Sequence, residues 1–342
     1  MYLSSSASSL LISRFHEVMN SSHQTEGKFV KAVADVCSKH HNGMASVAVA
    51  NCGAGLFATF SVLECKRVLV QANTFYATAA MAKEAGCELT LVDCNLEDYS
   101  MDLDDLKAKF SGHDAVVLTH IGGKLAKYYQ EIASFCNEND IYLIEDAAHA
   151  LGATYKNNIH AGSLGMVAVF SLYPTKAVPV GEGGLVIAHS KELVDRIYRF
   201  CNYGKAIEGG VIKYTRGFNL RMDEWTAAVA LTQLERLDAI MHNRRLMADR
   251  IRDVLPSIWD KVLDEHQPNW YKYITEDIDN LNPRYLTGMV YQSTDQIHKI
   301  YNVPAKFPNC DLIATKHRCV VLGEDMMCKR LPNYKLKELK ND

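Results

Sequence analysis

Short apolar runs alternate with amphipathic segments over residues 45–190, and this alternation dominates the sequence. The runs are four to seven residues long and most are rich in Val, Leu and Ile, as buried strands are. They lie at residues 45–50, 67–71, 88–93, 115–119, 141–145, 166–171 and 185–188. Segments with helical spacing lie between them, at residues 56–64, 76–85, 103–110 and 128–137. This alternation predicts an α/β fold, with a mostly parallel sheet that carries helices on both faces.

The pattern changes after residue 180. Residues 191–200 have helical spacing, and a glycine-containing loop is predicted over residues 204–217. Residues 222–255 form one long helical pattern, which Pro256 ends because proline cannot continue a helix. The rest of the chain predicts a mixture of short strands and helices.

The chain length sets an expectation for the number of domains. At roughly 150 residues per domain, 342 residues predict about two domains. We place the boundary in the long helical pattern, so that a large domain covers residues 1–245 and includes an N-terminal arm. A smaller C-terminal α+β domain then covers residues 246–342.

Composition and charge narrow the classes of function. Hydrophobic residues make up 48% of the chain and charged residues 23%, which is typical of a globular protein. The formal net charge of −3 provides no basic field for nucleic acid. The sequence has no apolar run of the roughly 18 residues that a transmembrane helix needs, and its first residues lack the basic region of a secretory signal. We therefore expect a cytoplasmic protein without nucleic-acid or membrane partners.

The ten cysteines of the chain include no CxxC pair and no cluster with histidine at the spacing of metal ligands. Neither a metal site nor a disulfide framework is therefore expected. Several of these cysteines lie within apolar runs, where a reduced thiol packs as a small hydrophobic side chain.

Candidate chemistry follows four of the predicted strands. Ligands of open α/β sheets bind beyond the carboxyl ends of the strands. The run at 141–145 leads into Asp146 and His149, and the run at 166–171 leads into Lys176. The first run leads into the sequence Asn-Cys-Gly-Ala-Gly before a helix, and the second leads into Asn-Thr-Phe.

These four strand ends supply what pyridoxal phosphate (PLP) requires. Lys176 offers an amine for a Schiff base, and Asp146 offers a carboxylate that keeps the pyridine nitrogen protonated. Free N–H groups and the helix dipole at residues 53–55 favour a phosphate, and Ser171 could add a hydroxyl. Phe75 could stack on the ring. Each of these residues alone would more simply be structural or solvated, and only the joint arrangement indicates a cofactor site.

Three stretches of the sequence are more specific. Residues 144–187 read IEDAAHALGATYKNNIHAGSLGMVAVFSLYPTKAVPVGEGGLVI, residues 119–123 read THIGG, and residues 216–238 read RGFNLRMDEWTAAVALTQLERLD. Together they resemble the nucleotide-sugar aminotransferases of the DegT/DnrJ/StrS family, which are PLP-dependent enzymes of fold type I. The resemblance covers about residues 50–249.

The resemblance implies roles for residues around the cofactor ring. Lys176 matches the lysine that binds the cofactor and moves the proton, and Asp146 matches the partner of the pyridine nitrogen. Phe75 matches the stacking aromatic residue, and His149 matches a family Gln or His close to the ring oxygen.

The resemblance also implies a phosphate site and a dimer. Ser171, Gly53 and Ala54 match phosphate contacts, and Asn219 matches a residue that reaches the phosphate of the neighbouring subunit. A homodimer with shared active sites is therefore expected. The implied reaction moves an amino group from an amino acid, with glutamate as the expected donor, to a keto-sugar that is linked to a nucleotide.

The sequence departs from the family pattern at two places. Ala54 stands where the family usually has threonine, which removes one hydroxyl donor from the phosphate turn. The family's His-containing segment near the C-terminus is poorly matched, and residues 291–300 are the nearest stretch. The related sugar dehydratases carry histidine at the lysine position, so Lys176 favours a transaminase.

Three alternatives remain open from the sequence. The acceptor could be a cyclitol or another cyclic ketone. The protein could instead be a non-catalytic, PLP-binding regulator, although Lys176 and Asp146 are both present. A nicotinamide-dependent oxidoreductase would need a full glycine fingerprint after the first strand, and residues 53–58 read Gly-Ala-Gly-Leu-Phe-Ala instead.

Overall fold

The computed structural model describes residues 4–156, 159–208, 210–263, 265–276, 296–320 and 322. The described strands are β1 (Ala45–Val49), β2 (Arg67–Gln71), β3 (Glu88–Val92), β4 (Ala115–Thr119), β5 (Tyr142–Asp146), β6 (Thr154–Tyr155), β7 (Ile159–His160), β8 (Val167–Ser171), β9 (Gly184–Ala188), β10 (Lys205–Glu208), β11 (Val211–Tyr214), β12 (His266–Gln267), β13 (Tyr273–Thr275) and β14 (Arg318–Val320). The described α-helices are α1 (Ser5–Met19), α2 (Lys28–His40), α3 (Cys52–Leu63), α4 (Tyr76–Glu84), α5 (Leu103–Lys109), α6 (Tyr129–Glu138), α7 (Lys191–Cys201), α8 (Glu224–Leu234), α9 (Leu237–Arg252), α10 (Ile297–Ile300) and α11 (Pro308–Lys316).

A seven-stranded sheet forms the centre of the molecule, in the order β1-β9-β8-β5-β4-β2-β3. The pairs β3/β2, β2/β4, β4/β5 and β5/β8 are parallel, whereas β9 runs antiparallel to both of its neighbours. All seven predicted apolar runs form strands of this sheet, so the predicted mostly parallel α/β architecture is confirmed.

Alternating side chains bury both faces of the sheet. In β2, Val68 and Val70 join one hydrophobic cluster, with residues of α3, α4 and α7. Leu69, between them, joins a second cluster with residues of α2, α6 and α8. Since successive strand residues point to opposite faces, each strand contributes to two helix layers. Fully burying such a side chain stabilises the fold by about 1.5–3 kcal/mol.

Two helices at the N-terminus were not predicted from the hydrophobic pattern. Ser4 caps α1, because its Oγ accepts the N–H of Ala7 at 3.3 Å. The first turn of α2 depends on a distant residue, since the Glu224 carboxylate accepts the N–H groups of Phe29 (3.0 Å) and Val30 (2.8 Å).

The structure corrects two predictions in the second half of the chain. The single helix expected over residues 222–255 is two helices, α8 and α9, which are separated at Glu235 and Arg236. α8 is buried on nearly all sides, whereas α9 buries one face, so the two pack differently and the chain turns between them. The loop expected over residues 204–217 contains the hairpin of β10 and β11, whose main-chain groups pair with each other.

The C-terminal part packs onto the sheet through aromatic side chains. Trp259, Trp270 and Tyr273 are buried in the same cluster as β2 and α3. The ring centroids of Trp259 and Trp270 lie 5.2 Å apart, and those of Trp270 and Tyr273 lie 5.4 Å apart. The Arg244 guanidinium donates to the main-chain oxygens of Asn269 (2.8 Å) and Trp270 (2.5 Å). These contacts fix the chain where it passes the carboxyl edge of the sheet.

Candidate active site

Asp146 ends β5 at the carboxyl edge of the sheet, beside Thr119 at the end of β4. The carboxylate is 3% exposed, and it accepts hydrogen bonds at both oxygens. Thr78 Oγ1 donates to Oδ2 at 2.5 Å, and the Ala148 N–H donates to Oδ1 at 3.1 Å. Lone pairs remain on this carboxylate, since each oxygen can accept more than one hydrogen bond.

Lys176 lies in the segment of residues 172–183 that joins β8 to antiparallel β9. Both ends of this segment are held at the sheet, because the Leu172 N–H donates to the Gly183 oxygen at 2.9 Å. The Lys176 N–H donates to the Tyr173 oxygen at 2.9 Å. Its half-buried side chain places Nζ 4.7 Å from the centre of the Tyr271 ring.

Cys52, in the first turn of α3, lies close enough to both groups for their charges to affect its thiol. Burial raises the pKa of its thiol well above the usual value, Asp146 raises it further, and Lys176 opposes both effects. One thiol is thus within electrostatic range of the predicted amine and the predicted carboxylate. The Cys52 thiol also lies 3.8 Å from the main-chain oxygen of Val169, the register partner of Asp146.

His149 is a buried, neutral imidazole at this edge. Burial lowers its pKa well below the usual value, and the positive charges of Lys176 and Lys272 lower it further. Its Nδ1 accepts the Gly122 N–H at 3.3 Å, which places the imidazole proton on Nε2. Its ring packs 4.5 Å from that of Tyr271.

Tyr271 was not predicted from the sequence. Its hydroxyl lies 3.3 Å from Thr175 Oγ1, and both Lys176 and Lys272 lie over its ring. Burial alone would raise the pKa of this phenol, but the two lysine charges and the Thr175 hydrogen bond outweigh burial and lower it. Tyr271 lies in the C-terminal region that matches the family pattern poorly, and no motif in the sequence identified it.

Segment 269–272 carries Tyr271 and is anchored at both ends. Asn269 Nδ2 donates to the His149 oxygen at 2.7 Å, and its main-chain N–H donates to the Gly123 oxygen at 2.8 Å. At the other end, the last N–H of the segment donates to the Gly122 oxygen at 2.9 Å. Gly122 and Gly123 of the THIGG stretch therefore hold both ends of this segment through their main-chain oxygens.

The start of α3 offers main-chain donors for an anion. The helix begins at Cys52, four residues before the predicted start, because Asn51 Oδ1 accepts the Ala54 N–H at 2.8 Å. The N–H groups of Cys52 and Gly53 lie in the first turn and have no acceptor within a helix. Ala54 is buried and its N–H already serves the cap, so Gly53 is the more available donor.

The other predicted site residues differ in exposure. Ser171 is 8% exposed at the end of β8, and its Oγ accepts the Tyr173 N–H at 3.3 Å. Phe75 precedes α4 and is 59% exposed, so its ring is available for stacking. Asn219 is exposed beyond the hairpin, and its main chain bridges to Asn202. Of the stretch 291–300 proposed for the missing His segment, residues 291–295 lie outside the described part of the chain.

A second set of side chains that could bind a metal ion lies after β3, the last strand at one side of the sheet. Asp93, Cys94 and Cys310 are buried and close enough to share a cation. The Asp93 carboxylate accepts the N–H groups of Cys94 (2.8 Å) and Cys310 (2.9 Å), so most of its capacity is used by the main chain. Sequence spacing could not predict this group, because Cys310 is far along the chain from the adjacent Asp93 and Cys94. None of the described helices has the length and apolar character needed to cross a bilayer.

Comparisons with known proteins agree with the fold. A sequence model of the DegT/DnrJ/EryC1/StrS aminotransferase family matches residues 7–281. GDP-perosamine synthase from Escherichia coli O157:H7 is 30% identical over 55% of this chain and 51% of its own length, so the chain spans about half of that relative. A DegT/DnrJ/EryC1/StrS aminotransferase from Brucella abortus superposes with a TM-score of 0.84 at 22% identity, over 96% of this chain and 95% of that chain. The PMP form of Spr1654 from Streptococcus pneumoniae superposes with a TM-score of 0.86 at 17% identity, over 97% and 96% of the two chains.

Proposed function

The chain belongs to the DegT/DnrJ/EryC1/StrS aminotransferase family, and from this premise we propose that it is a PLP-dependent transaminase acting on a sugar. The amino donor is an amino acid, with glutamate as the expected one, and the acceptor is a keto-sugar linked to a nucleotide. One observation carries the proposal: Lys176 Nζ lies 4.7 Å from the centre of the Tyr271 ring, and that ring packs 4.5 Å from the ring of His149, three residues after Asp146.

The described residues fit the cofactor. Asp146 would hold the ring nitrogen, since its carboxylate is fixed by two hydrogen bonds and keeps acceptor capacity. Gly53, Ala54 and Ser171 would hold the phosphate, with the main-chain N–H of Gly53 as the most available donor. Phe75 would cover one face of the ring. When bound, PLP supplies an electron sink for the carbon from which a proton is removed.

Lys176 and His149 supply the proton chemistry. Lys176 Nζ moves the proton to and from the reacting carbon as a general base and acid, on a flexible side chain whose main chain is held at the sheet. His149 stays neutral near pH 7 with its proton on Nε2, so that N–H would donate to an oxygen of the cofactor or substrate. Tyr271 packs against both residues and shields the amine from water.

We propose a homodimer in which Asn219 reaches the phosphate of the partner subunit. The support is exposure: Asn219 is exposed, and so are three apolar side chains on one face of the adjacent hairpin, Ile207 (71%), Ile212 (49%) and Tyr214 (67%). A contiguous apolar patch of this kind marks interaction sites on soluble proteins. We also propose the domain division at residues 1–245 and 246–342, with α9 continuous across it.

The test is a reaction with glutamate, PLP and a panel of nucleotide-linked keto-sugars, cyclitol ketones and other cyclic ketones, followed by mass analysis of the products. We expect amination of at least one nucleotide-linked keto-sugar. Borohydride treatment of the yellow protein should fix the cofactor on Lys176, which peptide mass analysis would show.

Transamination has two half-reactions: uptake of the amino group from the donor, and its transfer to the acceptor. The Lys176→Ala variant should lose both half-reactions. The exposed Lys191→Ala variant should keep them. A Lys176→Ala protein that completes both half-reactions at the normal rate would contradict the proposal. If cyclitol ketones alone are aminated, the acceptor is a cyclitol and not a nucleotide-linked sugar.

A further inference from the structure

Three buried threonine hydroxyls form a continuous series that ends at Asp146. Thr119 Oγ1 lies 2.8 Å from Thr74 Oγ1, and Thr74 Oγ1 lies 3.1 Å from Thr78 Oγ1. Thr78 Oγ1 lies 2.5 Å from Asp146 Oδ2. The three threonines are between 0% and 2% exposed, so the series is closed to bulk water.

The carboxylate fixes the direction of every hydrogen bond in this series. An ionised carboxylate only accepts, so Thr78 must donate its single hydroxyl proton to Asp146. Thr78 can then only accept from Thr74, which must donate. Thr74 in turn can only accept from Thr119. The three O–H dipoles therefore all point toward Asp146 Oδ2.

Different elements supply the members of the series. Thr119 ends β4 and pairs in register with Asp146, Thr74 lies in the loop after β2, and Thr78 lies in the first turn of α4. Aligned hydrogen bonds polarise one another, and the effect is largest where the local dielectric is low. Thus Thr74 and Thr119 can act on the Asp146 carboxylate through Thr78.

We propose that Thr78 is a positioning residue for Asp146, and that Thr74 and Thr119 strengthen its hydrogen bond in series. The chain of hydroxyls fixes the rotamer of the carboxylate. Its remaining lone pairs would hold the ring nitrogen of bound PLP. This inference rests on the proposed function, because it assigns the series a role toward bound PLP.

The experiment measures PLP affinity and the absorption spectrum of the bound cofactor as pH is varied. Thr78→Val keeps the shape of the side chain and removes the donor, so we expect PLP to bind about tenfold more weakly and the pH of the spectral transition to shift. Thr78→Ser restores the hydroxyl and should return both quantities close to those of the wild type. Thr119→Val, at the far end of the series, should weaken PLP binding by a smaller factor of about three.

A matched control is Thr59→Val. Thr59 is also fully buried, but its hydroxyl donates to the Gly55 oxygen at 2.8 Å within α3 and does not lead to Asp146. Its PLP affinity and spectrum should equal those of the wild type. A purely structural role for the threonines would lower thermal stability in all three valine variants and leave the spectral transition in place, which would overturn the inference.

The outcomes separate this inference from the proposed function. If the wild-type protein binds no PLP, the proposed function fails. If the wild type binds PLP and Thr78→Val does so with equal affinity and the same spectrum, only the inference fails. If Thr78→Val does not fold, Thr119→Val decides, and its unchanged PLP affinity would overturn the inference.

Discussion

Glu145 and Asp146 are adjacent carboxylates with separate environments, because neighbouring residues of β5 face opposite sides of the sheet. Glu145 is completely buried and accepts hydrogen bonds from His120 Nε2 (2.8 Å), the Tyr129 hydroxyl (2.7 Å) and two main-chain N–H groups. His120 Nδ1 accepts the Ala126 N–H at 3.0 Å, so its Nε2 carries the proton given to Glu145. Glu145 is thus saturated inside the fold, and only Asp146 is available to a ligand.

Gly123 shows how one backbone position controls the site. Its φ is +101°, and a Cβ atom there would overlap the Asn269 Oδ1 atom that helps hold segment 269–272. We expect Gly123→Ala to lower the free energy of unfolding by about 2–4 kcal/mol, combining backbone strain with a steric clash. Chemical denaturation measures this loss.

Gly43→Ala is the matched control for this prediction. Gly43 also has a positive φ, of +81°, but a Cβ there would meet nothing within 4 Å. Gly43→Ala should lower the free energy of unfolding by only about 1 kcal/mol, because only the backbone is strained. Equal losses in the two variants would show that the contact with Asn269 contributes nothing.

At the scale of elements, α2 depends on a cap from a distant part of the chain. Its N-cap is Gly27, and the first N–H groups are satisfied by Glu224 of α8. A carboxylate there also interacts favourably with the helix dipole. Glu224→Gln replaces one acceptor by a donor in a buried position and should destabilise the protein by about 1–3 kcal/mol.

Glu192→Gln provides the comparison, since Glu192 lies in the first turn of α7 and is exposed. Glu192→Gln should lower the free energy of unfolding by less than about 0.5–1 kcal/mol. Thermal or urea unfolding of both variants measures the difference. A Glu224→Gln protein as stable as Glu192→Gln would refute the capping role.

The strands of the central sheet were predictable because each is a short apolar run that is buried on both faces. In β4, for example, all five residues are buried, and the apolar run alone reveals the strand. The break between α8 and α9 was not predictable from periodicity, because apolar residues keep helical spacing on both sides of it. Within the described part of the chain, β10 and β11 pair with no other strand and β11 is fully exposed, so the hairpin lacks the apolar run by which the buried strands were found. α2 likewise begins where Glu224 caps it, and local sequence cannot show a contact across the fold.

At the scale of the whole molecule, a buried histidine makes stability depend on pH. Burial lowers the pKa of His41 to about 4, and the charges of His160 and His40 act in the same direction. As pH falls below about 6.5, the unfolded chain binds a proton that the folded chain does not bind until about pH 4. Stability from this group is therefore present at neutral pH and is lost in acid.

We expect the wild type to lose about 2 kcal/mol more unfolding free energy than His41→Gln between pH 7 and pH 5. Urea denaturation at the two pH values measures this. His23→Gln, at an exposed position, should follow the wild type. Parallel losses in the wild type and His41→Gln would show that His41 does not carry the effect.

The sequence predicted the residues that local motifs and strand ends bring together, Lys176, Asp146 and His149 among them. It did not predict Tyr271, which reaches the site because Arg244 and the aromatic cluster of the C-terminal part hold its segment against the THIGG turn. Nor did it predict that the Thr74, Thr78 and Thr119 hydroxyls form a series, since these residues come from three elements. Residues that act through long-range packing carry no local pattern.

The antiparallel strand β9 has a consequence for motion. Both ends of the segment between β8 and β9 are held at the same edge of the sheet, and the Lys176 amine turns on four methylene groups. Such rotamer changes take picoseconds to nanoseconds, and loop or lid movements take far longer. Rotation about these methylene groups therefore moves the amine without rearrangement of the backbone.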